Sequence, residues 1–140
     1  MRLPDDEARR RLAAGDHGVL STVHPVRGVD AVPVVYATDP AAGRVGVPVD
    51  RVKPKASTRL QRERNIEADP RAALLIECWD RDDWSRLWWV RADLRHLPAA
   101  DHAVLAAGLV ARFAQYADAP FERILVFEIV AVTGWSAAAG

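Results

Sequence analysis

Val29-Asp30-Ala31-Val32-Pro33-Val34-Val35-Tyr36-Ala37-Thr38, then Asp39-Pro40-Ala41-Ala42-Gly43, then Arg44-Val45-Gly46-Val47-Pro48-Val49 reads as strand, turn and strand. Valines crowd both arms, and an Asp-Pro opening with a closing glycine is hairpin chemistry. Strands joined this tightly run antiparallel, because a parallel pair needs a crossover of a dozen residues or more. Pro33 has no N–H to give to a ladder, so the first arm is expected at a sheet edge or with a bulge.

The same logic extends outward. Upstream, His17-Gly18-Val19-Leu20-Ser21-Thr22-Val23 is a strand that turns at His24-Pro25-Val26-Arg27-Gly28. Before it, Pro4 opens a short helix with Asp5, Asp6 and Glu7 in its first turn, and Gly15 closes it. Downstream, residues 54–68 read as a helix that starts near Pro54 and is stopped by Asp69-Pro70. Residues 71–79 and 84–97 read as a fourth and a fifth strand, 99–116 as an apolar helix and 122–135 as a sixth strand. The expected fold is one mainly β domain over residues 1–140, a closed or nearly closed six-stranded antiparallel barrel with peripheral helices.

Nineteen basic and nineteen acidic residues cancel across the 140 positions, which argues against a nucleic-acid or membrane-surface binder. Cys78 is the only cysteine, so there is no internal disulfide, and its apolar surroundings suit a buried small side chain. The N-terminus lacks an apolar h-region and no stretch is long enough to span a bilayer; a cytoplasmic protein is expected. The four histidines do not make zinc-ligand spacing, and no metal site is expected. Neither a Walker A sequence, a G-x-G-x-x-G nor a G-x-S-x-G is present, and no serine has a visible base partner.

Charge is nonetheless concentrated in one place. Between Arg44 and Arg64 stand seven basic residues and two acidic ones, five of the basic ones and one acidic one within Asp50-Arg51-Val52-Lys53-Pro54-Lys55-Ala56-Ser57-Thr58-Arg59-Leu60-Gln61-Arg62. On a helix opening at Pro54, Lys55, Arg59 and Arg62 share a face, and Ser57 and Thr58 offer hydroxyls to the same anion. A helix start adds free backbone N–H groups, so a phosphate site is the functional reading and a solvated charged face the plain one. The five tryptophans, among them Trp84, Trp88 and Trp89, serve as core, dimer packing or the wall of a planar ligand.

The Pro54-Lys55-Ala56-Ser57-Thr58-Arg59 segment, Asn65-Ile66-Glu67-Ala68-Asp69-Pro70-Arg71 and the run from Asp83 to Asp93 resemble the pyridoxamine 5′-phosphate oxidase-like split-barrel superfamily. The similarity is greatest to its actinobacterial F420-dependent oxidoreductases and covers about residues 4 to 136. The resemblance implies a six-stranded split barrel and a homodimer with two cofactor sites in clefts between subunits. It implies a deazaflavin ring along residues 32–36, which brings in Val34 and Tyr36. It also implies a phosphate held by Lys55, Thr58 and Arg59, with Ser57 and Lys53 beside them, and Trp84 near the cleft. Ser57 stands where many relatives carry a second basic residue, a charge that Lys53 would replace.

The function these residues suggest is hydride transfer from reduced F420 to a small, planar, unsaturated acceptor, the cofactor supplying the electronics. Tyr36 is the candidate proton donor. FMN on the same fold is the alternative cofactor; Arg51 and Arg62, in excess of one phosphate, favour the acidic tail of F420. A non-catalytic carrier of flavin or F420 is the reading from another class.

Overall fold

The computed structural model describes residues 1–50, 59–118 and 121–138. In chain order these form α1 (Asp5–Ala14), β1 (His17–His24), β2 (Gly28–Val35), β3 (Ala37–Asp39), β4 (Arg44–Asp50) and α2 (Gln61–Ala68). There follow β5 (Arg71–Cys78), β6 (Trp88–His96), α3 (Ala103–Arg112) and β7 (Phe121–Ser136), with single 3-10 turns at Trp84–Arg86 and Ala114–Tyr116. The strands make one antiparallel sheet in the order β2-β1-β5-β6-β7-β4-β3. The sheet curls until β2 meets β4, and the seam between them is the split of a mainly β split barrel.

Pro33 sits on β2, opposite Val19, and β2 is an edge strand, which is where a residue without an N–H belongs. The core fills the curl: Leu20, Val45, Val47, Val49, Leu74, Val90 and Phe127 are almost fully buried. Ala8 and Leu12 of α1 close one side of this cluster, and α3 adds a smaller one through Leu105 and Leu109. At Gly28 the chain takes a φ of 92°, the left-handed turn that returns β1 into β2. Gly18 is required for a different reason. A Cβ there would lie 2.6 Å from the Leu75 carbonyl oxygen, and backbone of the neighbouring strand cannot move aside. Gly18→Ala is therefore expected to lower unfolding free energy by about 1–3 kcal/mol in urea titration.

Four expectations need correction. The sheet has seven strands among the described residues, because the expected strand over 29–38 breaks at Tyr36. The Tyr36 N–H goes to Asp16 O (3.1 Å) and its hydroxyl to Leu12 O (2.6 Å), so the chain leaves β1 there and joins β4 as β3. The helix expected from Pro54 begins, among the described residues, at Gln61. The expected strand from Trp84 begins at Trp88, because Asp83 accepts from the Ser85 N–H and hydroxyl (3.1 and 2.6 Å) and draws 84–86 into a 3-10 turn. The expected helix over 99–116 spans Ala103–Arg112 and breaks at Phe113, whose backbone is extended.

Candidate functional site

The seam between β2 and β4 is covered by the first turn of α2, and α2 is held there by two buried polar clusters. At its start the Leu60 N–H donates to Glu63 Oε2 (2.8 Å), a side chain in the first turn reaching back to satisfy a backbone donor. Glu63 is 4% exposed and also receives the Arg123 guanidinium of β7, Nη2 to Oε2 at 2.9 Å and Nε to Oε1. Burial pushes the Glu63 carboxyl up, but the hydrogen bonds from Arg123 and Leu60 outweigh it and hold it below its usual range. One turn on, Asn65 is 1% exposed and donates to Thr22 Oγ1 of β1 and Asp30 Oδ2 of β2, both at 2.9 Å. Gln61 Nε2 donates to Asn65 Oδ1 (2.9 Å), and Arg27 grips Asp30 from the hairpin.

Glu63 and Asn65 are buried, and Arg62 of the same helix lines the cleft walls beside β2. It lies between two clefts. One, of about 310 Å³, has walls from Val34 and Val35 of β2, Pro48 and Asp50 of β4, and Tyr116. The other, of about 350 Å³, runs between Ala31-Val32 and Leu60-Gln61. The Arg62 Nε is buried and has no hydrogen-bond partner among the described residues. Burial lowers the pKa of this guanidinium against the pull of Glu63 and Asp50. An unsatisfied buried N–H on a cation is expensive, so the arrangement is primed for an anionic oxygen.

Two further features suit a planar ligand beside that anion. Among the described residues β2 pairs only with β1, so its free edge offers backbone N–H and C=O groups along the seam. At the far end the Tyr116 hydroxyl donates to Asp50 Oδ1 (2.6 Å). Burial, then the Asp50 carboxylate, raises the Tyr116 pKa, so this phenol stays protonated as a donor.

The structure unites some of the sequence-derived site residues and disperses others. Lys53, Lys55, Ser57 and Thr58 lie outside the described residues. Val34 is in place on the cleft wall. Tyr36 is a correction: it is fully buried with its hydroxyl committed to α1, its pKa raised by burial, and it packs the core rather than facing the seam. Arg59 precedes α2 instead of belonging to its face; it pairs with Glu67 and lines a separate cleft with His96. Trp84 is 65% exposed against Trp79 (ring centroids 5.3 Å apart) and lines neither β2 cleft of its own chain. Of the expected anion face of Lys55, Arg59 and Arg62, it is Arg62 that lines the seam. Its signal was Glu63 three residues after Leu60, a first-turn pattern that starts the helix at Gln61 and puts Arg62 in its first turn.

No family model matches the chain, and no curated protein matches it. Solved structures do. A FAD-binding protein from Mesorhizobium loti superposes with a TM-score of 0.68 at 18% identity, over 96% of this chain and 93% of that one. A candidate pyridoxamine 5′-phosphate oxidase from Corynebacterium glutamicum gives 0.57 at 11% identity, over 97% and 98%. A heme binding protein from Mycobacterium smegmatis gives 0.70 at 20% identity over 97% of this chain, which spans 55% of that protein. Likeness at these identities defines the fold: a split barrel of the pyridoxamine 5′-phosphate oxidase type.

Proposed function

We propose that this chain is an oxidoreductase that binds a flavin-type cofactor along β2, with the phosphate on Arg62 and on the basic segment that precedes it. The single observation that carries this reading is the buried, unpartnered Arg62 Nε between two clefts at the open edge of β2. When bound, the cofactor supplies the hydride chemistry to a small planar acceptor. Arg62 anchors the anion, the free edge of β2 orients the ring, and Val34, Val35 and Pro48 exclude water from one side. The FAD-binding neighbour supports the flavin class. F420 is the cofactor favoured by the basic surplus between Arg44 and Arg64, and FMN is the alternative. Equilibrium titration with each, followed by cofactor fluorescence, decides between them: tighter F420 binding supports the deazaflavin reading, and tighter FMN binding replaces it.

The same proposal includes a homodimer with the cleft shared between subunits. Supporting it, Val19 (38% exposed) and Leu75 (41%) are register partners on the outer face of the sheet, an apolar pair that the described residues leave open. Light scattering at micromolar concentration is expected to give twice the 15.4 kDa chain mass; a monomer would remove the shared cleft from the account.

A further inference from the structure

The end of the barrel away from α2 carries a second, different cleft. Cys78, Trp88 and Ser136 are register partners across β5, β6 and β7, one row beyond the buried Ile76, Val90 and Gly134. Trp88 begins β6 and His96 ends it beside α2, so the two ends are about 26 Å apart at roughly 3.3 Å per residue. Around this row opens a cleft of about 670 Å³, walled by Arg10 and Arg11 of α1, Arg86 of the 3-10 turn, Trp88, Cys78 and Ser85. Three arginines and one tryptophan therefore share the wall, and among the described residues no carboxylate lines the space.

The carboxylates that face these three arginines stand outside the cleft wall. Arg10 and Arg11 share the single carboxylate of Glu7, at 2.6 and 2.8 Å, outside the cleft wall. The Arg10 hydrogen bond, then that of Arg11, draws the Glu7 carboxyl down to about 2, so it remains a single negative charge against two positive ones. Arg86 stands 4.0 Å from Asp80 and also faces Asp83, whose carboxyl the Ser85 hydrogen bonds, then the Arg86 charge, draw down. Arg11 lies over the Trp88 ring, 5.0 Å from its centroid, so a cation covers one face of the indole and holds it as a flat wall. A guanidinium fork matches a carboxylate in two parallel hydrogen bonds, and an indole wall favours a flat apolar body.

We infer that this cleft binds a small aromatic carboxylate, its ring beside Trp88 and its carboxylate between Arg86 and Arg10. The site stands apart from the cofactor cleft and does not depend on it. Nothing in the β2 seam contributes to it.

Cys78 reports on the site directly, being the only thiol in the chain and part of the wall. Alkylation of the intact protein by iodoacetate, an anion, is compared with alkylation by neutral iodoacetamide, each scaled to free cysteine. The arginines are expected to raise the iodoacetate preference about fivefold, and raised salt to reduce it. Millimolar benzoate is expected to slow alkylation by both reagents, while benzamide, the same shape without the charge, leaves it unchanged. The double variant Arg10→Ala, Arg86→Ala should lose both effects; these side chains are 66% and 68% exposed, so the fold does not depend on them. A reagent preference equal to that of free cysteine, equal protection by benzamide, or undiminished benzoate protection in the double variant would each overturn the inference.

Discussion

Arg62→Ala is expected to weaken binding of FMN or F420 by about ten- to a hundredfold, because a hydrogen bond between a cation and phosphate is worth roughly 1.5–3 kcal/mol. The effect should exceed that of removing any one charge from an exposed helix face, since the Arg62 Nε is already buried and stripped of water before the ligand arrives. Arg62→Lys keeps the charge but not the fork and should recover only part of the loss. Fold stability is expected to hold or rise slightly in Arg62→Ala, because the variant removes an unsatisfied buried donor. That pairing separates a ligand-binding arginine from a structural one: a structural Arg62 would lose stability and affinity together. Melting without cofactor beside titration with cofactor reads both.

Glu63→Ala carries the largest stability effect. Its carboxylate accepts from Arg123 on β7 and from the Leu60 N–H at the start of α2, 4% exposed and 60 residues from its arginine partner. Removing it leaves a half-covered guanidinium and an uncapped helix start, an expected loss of about 2–4 kcal/mol in urea denaturation. Glu63→Gln should lose less, keeping an acceptor oxygen for one donor. The pH dependence has a definite sign. The folded pKa lies below that of the unfolded chain, so the unfolded state takes up the proton first and acid favours unfolding. The stabilisation is complete above the unfolded value, at about pH 6 and higher, and fades as pH drops through the folded value. The stability difference between wild type and Glu63→Ala is thus expected to shrink from pH 7 to pH 3. A difference independent of pH would assign the contribution to packing instead.

What was legible in the sequence was local. Pro33 without its N–H reported an edge strand, which holds; the antiparallel pairing expected across Asp39–Gly43 holds only for residues 37–39, because residues 28–35 pair with β1 instead. Long-range contacts decided what was missed. Tyr36 reads as the middle of a strand, yet its hydroxyl is taken by Leu12, 24 residues away, and the strand divides there. Pro54 is a good first helical residue by local rules, but the described helix begins where Glu63 can meet Arg123 and the Leu60 N–H together. Trp84 was drawn out of its strand by Asp83, a short side-chain turn competing with the ladder.

The candidate site divides the same way. Charge density along the chain marked the region on which the proposal rests, since seven basic residues against two acidic ones need no fold to be counted. It did not distinguish Arg62 from Arg59, because both are arginines near one helix start. Only the seam between β2 and β4 does that: Arg62 is turned into it with a bare Nε, while Arg59 is drawn to Glu67.

The central claim is that a phosphate-bearing flavin-type cofactor occupies the β2 seam and is anchored by Arg62. Fluorescence titration of wild type and Arg62→Ala with FMN and with F420, at low and at raised salt, tests it most directly. The account predicts saturable wild-type binding of at least one of them, weakened by salt and about ten- to a hundredfold weaker in the variant. Binding of neither cofactor, or equal affinity in wild type and Arg62→Ala, would contradict it.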